Sequence, residues 1–320
     1  MRRHLVARLG QSLIVVVIVA TITFIVIRTA PGDPFSYASD TITPAVRAQW
    51  RTQFGYDRPV LEQFARYIAS LARGDFGYSL SRHGTVSHAL AVAIPNTLLL
   101  VGVALTLSVG LGMIVGVLQA TRKGGWLDRI SSTVLLVFYS LPDFWGALMM
   151  LLVFAYWWRV LPAGYMVTPV MHDYMNGWEA FRDRVSHLVL PASTLTLLTM
   201  AAIARYQRAA MLEVLPADYI RTALAKGLSE RAIIWRHALR NALTPMVTLL
   251  GLLFPVLIGG ALFIEKVFSW PGMGLLAADA VSKRDYDLVT ATVVVGSVMV
   301  VIGNLLADLL HMAIDPRVRE

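Results

Sequence analysis

Uninterrupted apolar runs constrain this chain more than any other feature. A helix rises 1.5 Å per residue, so roughly 20 apolar residues cross about 30 Å of hydrocarbon. Six stretches meet or approach that length: about Leu9 to Ile27, Thr97 to Leu118, Ile130 to Trp158, Leu188 to Ala204, Leu243 to Ile264 and Leu288 to Leu310. The third is long and broken by Pro142, and the fifth holds Pro255 and the pair Gly259–Gly260, a kinked or flexible stretch. Charged residues are 15% of the chain, against about a quarter in a soluble domain. Too few polar groups remain to wet a soluble surface. The expectation is an all-α polytopic membrane protein with six transmembrane helices.

Arg2, Arg3 and Arg8 precede the first run as in a secretory signal. The run exceeds the 7–15 residues of a signal core and no clear A-x-A site follows, so an uncleaved span is expected. Six spans put both termini on one side, together with the loop Thr121–Arg129 and the segment Arg205–Asn241. That side carries more than half of the 28 Lys and Arg residues, three of them in the short loop at Arg122, Lys123 and Arg129. Basic residues in short loops mark the cytoplasmic face, so both termini are predicted cytoplasmic. The net charge of +8 is then a matter of topology and anionic lipid rather than nucleic-acid binding.

The organisation expected is an N-terminal arm and first span (1–29), a small external helical segment (30–95), a five-helix core (96–314) containing a cytoplasmic loop (205–242), and a tail (315–320). Within the external segment, Val60, Leu61, Phe64, Tyr67, Ile68 and Leu71 recur at helical spacing, started by Pro59 and ended by Gly74.

The loop reads LPADYIRTALAKGLSERAIIWRHALRNALTP from Leu215 to Pro245. Asp218 can cap a helix Tyr219–Lys226, Gly227 can end it in the left-handed conformation, and Ser229 can cap the next. Such a helix is either a knob for a partner's groove or a basic amphipathic connector on lipid headgroups. No G-x-x-x-x-G-K-[ST] phosphate loop occurs, so energy is expected from another chain or an ion gradient. The chain contains no cysteine, which excludes disulfides, thiolate metal sites and a thiol nucleophile.

Other residues keep two readings. Asp143, beside Pro142, is a pathway group or a helix cap, because a charge at that depth must face protein or water. Asn304, Asp308 and His311 form a stripe that glues helices or, less simply, holds a metal; no metal site is assigned. Gly112 and Gly116 form a G-x-x-x-G packing pair. Trp270, Pro271, Gly272 and Gly274 form a turn facing an external protein or gate, or a rigid surface turn with an interfacial tryptophan.

The loop resembles the cytoplasmic EAA motif, EAA-x3-G-x9-I-x-L-P, of binding-protein-dependent ABC importers. Arg221 stands at the glutamate, followed by Thr222 and Ala223; Gly227 matches, and His237–Arg240 replaces the last four residues. The chain is similar over nearly its whole length to the dipeptide/oligopeptide/nickel branch of ABC permeases. APGDP (Ala30–Pro34), FGYDRP (Phe54–Pro59), GDFGYS (Gly74–Ser79), IPNTL (Ile94–Leu98), LPDFW (Leu141–Trp145), FSWPGMG (Phe268–Gly274), RDYDLV (Arg284–Val289) and DPRVR (Asp315–Arg319) carry that likeness. The resemblance implies a type I importer permease in a bacterial inner membrane, without catalytic residues. It implies a second related permease, two ATPase subunits that hold ATP and Mg, and an external solute-binding protein. The substrate implied is a di- or oligopeptide, with nickel chelates, glutathione and sugars as alternatives in the same branch. An ion-coupled secondary transporter is the reading from another class. Asp218, Tyr219, Ile220, Arg221, Ala223, Leu224, Lys226 and Gly227 would couple to the ATPase; Asp143, Pro255 and Gly259 are candidate pathway residues on the residue reading alone.

Overall fold

The structure, a computed structural model, describes residues 2–29, 43–53, 55–243, 246 and 261–314. Among the described residues, four helices are long and apolar enough to cross a membrane: α1 (Arg2–Thr29), α4 (Val86–Thr121), α7 (Gly177–Val214) and the last helix, Tyr286–Ile314. A fifth candidate is the pair α5 (Trp126–Ser140) and α6 (Asp143–Met150), the latter continuing to Trp157 in wider π-helical turns. The two are bent by 111° at Leu141–Pro142. Proline removes an amide and pushes its predecessor out of the helical region, so the expected break falls there. The stretch expected over 243–264, with Pro255 and Gly259, lies mostly outside the described residues.

The chain forms two compact units. One comprises 97–270 and 300–320, the other 2–96 and 271–299.

In the first unit α5 and α6 both pack on α7. A core of Leu100, Val101, Ala104, Ala147, Leu190, Leu195, Ile264, Phe268 and Trp270 joins α4, α6, α7 and the helical turns over residues 261–267. Small residues let α4 lie close on α7. A Cβ on Gly116 would stand 2.6 Å from the Ala204 carbonyl oxygen and 2.7 Å from Gln207 Cβ. One on Gly112 would stand 2.8 Å from the Ile203 side chain. The G-x-x-x-G pair is thus a packing device, and Ser108 and Thr196 add hydroxyl bonds to the facing backbones at 3.4 Å each. Gly116→Ala is expected to destabilise by about 1–3 kcal/mol through overpacking against a backbone that cannot yield. Thermal unfolding in detergent measures it, and an unshifted midpoint would contradict the close approach.

In the second unit, α2 (Pro44–Gln53) and α3 (Val60–Ala72) follow α1. The helix expected after Pro59 is α3. It ends as its sequence suggests: Gly74 has φ +74°, the Gly74 amide donates to Leu71 and the Asp75 amide to Ser70. Its apolar stripe is only half right. Phe64 and Tyr67 meet Phe24 of α1 with ring centroids 5.3 and 5.5 Å apart, whereas Val60 and Leu61 are exposed. A two-stranded antiparallel hairpin, β1 (Tyr78–Ser79) and β2 (Gly84–Thr85), is a small addition to the all-helical expectation.

Candidate functional site

The segment after α7 builds one compact feature. Asn176 starts α7 with a capping box, accepting from the Trp178 and Glu179 amides while Glu179 accepts from the Asn176 amide. The helix runs to Val214, and after a short turn α8 (Asp218–Ala225) crosses its end. Ala217, not Asp218, is the N-cap, so the expected side-chain cap is corrected. Asp218 sits in the first turn, fully exposed, 3.9 Å from Arg221. A carboxylate there still favours the positive end of the helix. At the other end the structure matches the expectation: Gly227 has φ +79°, its amide donates to Leu224 at 2.9 Å, and the Leu228 amide donates to Ala223 at 3.3 Å. Ser229 caps the next turn, accepting from the Ala232 amide.

The helix has two faces. Ile220 and Ala223 are 2% and 7% exposed and pack with Val117, Ala120, Met211, Ile233 and Ala242. Their expected contact with a partner is therefore corrected: they hold α8 onto its own chain. Residues three apart share a face, and the apolar one wins the core. Tyr219, Arg221, Leu224 and Lys226 are exposed on the remainder. Asn241 donates to the Tyr219 hydroxyl at 2.9 Å, bracing it from the following helix. That helix widens into π-helical turns over Ile233–Ala238.

An ion pair supports this base. Arg208 Nε and Nη2 each donate to the Asp128 carboxylate at 2.9 Å, and the Gly124 amide adds a third bond at 2.9 Å. The turn after α4, the start of α5 and the last part of α7 are thereby clamped together. Sequence reasoning missed this pair, which joins residues 80 apart.

Other acids escaped it too. Asp143 looked like the one acid deep in a span. Glu265 is fully buried, and Thr97 donates to it at 2.6 Å. Asp183 accepts from the Thr168 amide and hydroxyl, at 2.9 and 2.6 Å, and lies 2.7 Å from His172 Nδ1 and 3.3 Å from His187 Nδ1. The Thr168 amide and hydroxyl and two imidazoles thus converge on one carboxylate, and the cluster pins the loop before α7 to that helix. These acids escaped notice because each sits near the end of an apolar stretch. Asp143 itself is half-buried in the first turn of α6 behind Pro142, and no hydrogen bond from its side chain occurs among the described residues.

Trp270 is a further correction. It is 1% exposed inside the first unit's core, not interfacial and not on a docking face. The Trp270 amide bonds back to Glu265 at 2.8 Å, and Ser269 at φ +50° turns the ring inward. Gly272 is buried, while Pro271 and Gly274 are half-buried. Asn304 is exposed, the His311 side chain lies outside the described residues, and no metal-holding group occurs among those described.

The recurring motifs meet in pairs. GDFGYS meets RDYDLV: Ser79 donates to Asp285 at 2.6 Å, and Gly77 leaves room for Asp287, whose Oδ2 would lie 2.7 Å from a Cβ there. IPNTL meets FSWPGMG where Asn96 donates to the Pro271 carbonyl at 2.9 Å.

Residues 108–320 match the family described as binding-protein-dependent transport system inner membrane component, and residues 1–101 match its N-terminal counterpart. The chain is 36% identical over 320 residues to the oligopeptide transport system permease protein AppB of Bacillus subtilis (strain 168), covering 99% of each. It is 34% identical over 337 residues to the dipeptide transport system permease protein DppB of Escherichia coli (strain K12), covering 100% of this chain and 99% of the other. Among solved structures, an inward-facing MetNI methionine ABC transporter matches with a TM-score of 0.58 at 18% identity, covering 71% of this chain and 96% of that one. At that identity the likeness speaks to the fold.

Proposed function

The chain belongs to the family of binding-protein-dependent transport system inner membrane components, and on that premise we propose that it is one permease half of an ATP-driven importer of di- or oligopeptides. Relatives named for oligopeptide and dipeptide transport align along their full length, which supports that substrate class. The observation that carries the mechanism is the two-faced α8: Ile220 and Ala223 root it in the ends of α4 and α7, while Tyr219, Arg221, Leu224 and Lys226 face outward. A rooted knob transmits force, where a floppy connector dissipates it.

In this reading a second, related permease completes the pathway. Two cytoplasmic ATPase subunits hold ATP and Mg, and an external binding protein delivers the peptide. Arg221 and Lys226 pair with acids of the ATPase groove. The protein sits in a bacterial inner membrane with both termini and residues 205–242 cytoplasmic, as the basic loops favour. ATP shifts the arrangement only by binding one state better than the other. Asp143, with Pro255 and Gly259, belongs to the pathway, and the turn from Trp270 to Gly274 belongs to the external gate.

The test is co-purification followed by reconstituted uptake. Two P-loop subunits are expected to travel with the chain, and uptake is expected to require ATP and survive a proton uncoupler. Uptake that needs no ATP and collapses with the uncoupler would assign an ion-coupled transporter instead. In the same vesicles, Asp143→Asn is expected to lower uptake of cationic peptides more than of neutral ones. Equal loss for all substrates would assign Asp143 to the start of α6.

A further inference from the structure

Two buried polar atoms of the second unit have no hydrogen-bond partner among the described residues: the Tyr67 hydroxyl and Gln63 Oε1. Folded proteins rarely leave such atoms bare, and the exceptions gather where water, an ion or a ligand arrives. Both residues line one cavity of about 210 Å³. The other end of Gln63 is fully used, its Nε2 donating to the carbonyls of Tyr56 and Arg58 at 3.2 and 2.7 Å. The orphan Oε1 is therefore held in place and calls for a donor.

The same wall carries charges that do not meet. Arg28, in the last turn of α1, lies 4.3 Å over the Tyr56 ring and 5.5 Å from the Phe24 ring, and forms no ion pair among the described residues. Asp287 lines the cavity as well, as does Asp75. Asp75 is exposed and accepts from the Gly77 amide, and Asp287 accepts from the Tyr78 amide. Among the described residues the partly buried Arg28 and Asp287 form no salt bridge with each other, and a partly buried charge pair held apart is costly. A bare cation would be repelled by Arg28, and a bare anion by Asp75 and Asp287. A molecule bearing both charges completes the set. Its depth is also informative. Arg28 closes the apolar span Arg8–Thr29, whose flank at Ile18, Ile22 and Ile25 is exposed. Lipid headgroups lie at the end of such a span.

We propose that this cavity binds a small zwitterion with a primary ammonium beside an oxyanion, the chemistry of the phosphoethanolamine headgroup. The oxyanion sits on Arg28 and the Tyr67 hydroxyl; the ammonium donates to Asp287 and Gln63 Oε1. Burial and the Asp287 charge push the Tyr67 phenol up to about 12, so it keeps its proton and can donate throughout the working range. Phosphatidylcholine has no ammonium N–H to give Gln63, and phosphatidylglycerol has no ammonium at all. The site stands apart from the transport reading and needs only the membrane.

The test is native mass spectrometry of the full-length chain, delipidated in detergent and titrated with phosphatidylethanolamine, phosphatidylglycerol or phosphatidylcholine. One phosphatidylethanolamine is expected to be held about tenfold more tightly than the other two lipids, the worth of one charge-assisted contact. Arg28→Gln and Tyr67→Phe are each expected to erase that preference. Tyr67→Phe removes only the orphan hydroxyl, so an unchanged melting midpoint separates lost binding from lost fold. Competition by free O-phosphoethanolamine, sensitive to the same two substitutions, would support the site and assign it a soluble source. No preference for the ethanolamine lipid and no binding of the free zwitterion, or a preference that survives both substitutions, overturns the proposal and leaves a cavity holding water only.

Discussion

Replacing Gly227 with proline is expected to drop ATP-driven uptake to background while the chain still inserts in the membrane. Gly227 holds φ +79°, and its amide donates to Leu224 at 2.9 Å. Proline fixes φ near −65° and has no amide proton, so both requirements fail together. The would-be Cβ meets nothing within 4 Å, so the damage is conformational rather than steric. Asparagine tolerates the left-handed region, and Gly227→Asn should keep much of the uptake. The Leu228-to-Ala223 bond is lost with the turn, and Ala223 is one of the two anchors of α8. The knob then loses its fixed direction, while the spans, none of which contains Gly227, keep their own hydrogen bonds. ATP hydrolysis by the partner subunits should continue without uptake. Unchanged uptake in reconstituted vesicles would sink the coupling role proposed for this helix.

Asp128→Ala is expected to destabilise the first unit by about 3 kcal/mol, the lower end for a broken buried pair because Arg208 keeps some contact with solvent. Asp128 is 4% exposed, and its carboxylate takes two bonds from Arg208 and one from the Gly124 amide. Removing it strands a guanidinium and an amide together. The double variant Asp128→Leu with Arg208→Met should recover most of the loss, because no buried charge is then left alone. Denaturant unfolding in detergent compares the three proteins. A double variant no more stable than Asp128→Ala would show that the pair acts as two separate surface charges.

Legibility followed range. The break at Pro142, the stop at Gly74 and the stop at Gly227 all fell where the sequence puts them, because each depends on the backbone freedom of one or two residues. The stripe on α3 was half legible: the 3.6 period is local, but whether Val60 and Leu61 find a neighbour is not. At α8 the period names an apolar side and cannot say that it faces inward, so in sequence Ile220 and Ala223 look the same as partner contacts. Trp270 misled for a related reason, since a Trp-Pro-Gly turn looks like surface until the ring's destination is known.

By itself the sequence determined which runs are long and apolar enough to form spans, where the helices break, which loops collect positive charge and which family the motifs resemble. Those properties depend on the length of apolar runs, on single dihedral preferences and on loop charge, all carried by neighbouring residues. Only the tertiary structure decided that Arg208 closes on Asp128, that Ser79 meets Asp285 across 206 residues, that Glu265 is buried against Thr97, and that Tyr67 and Gln63 turn bare polar atoms into a cavity beside Arg28. A charged or polar side chain reads the same in sequence whether it meets water or a partner. The distinction arises only when packing brings distant segments together and removes the solvent between them.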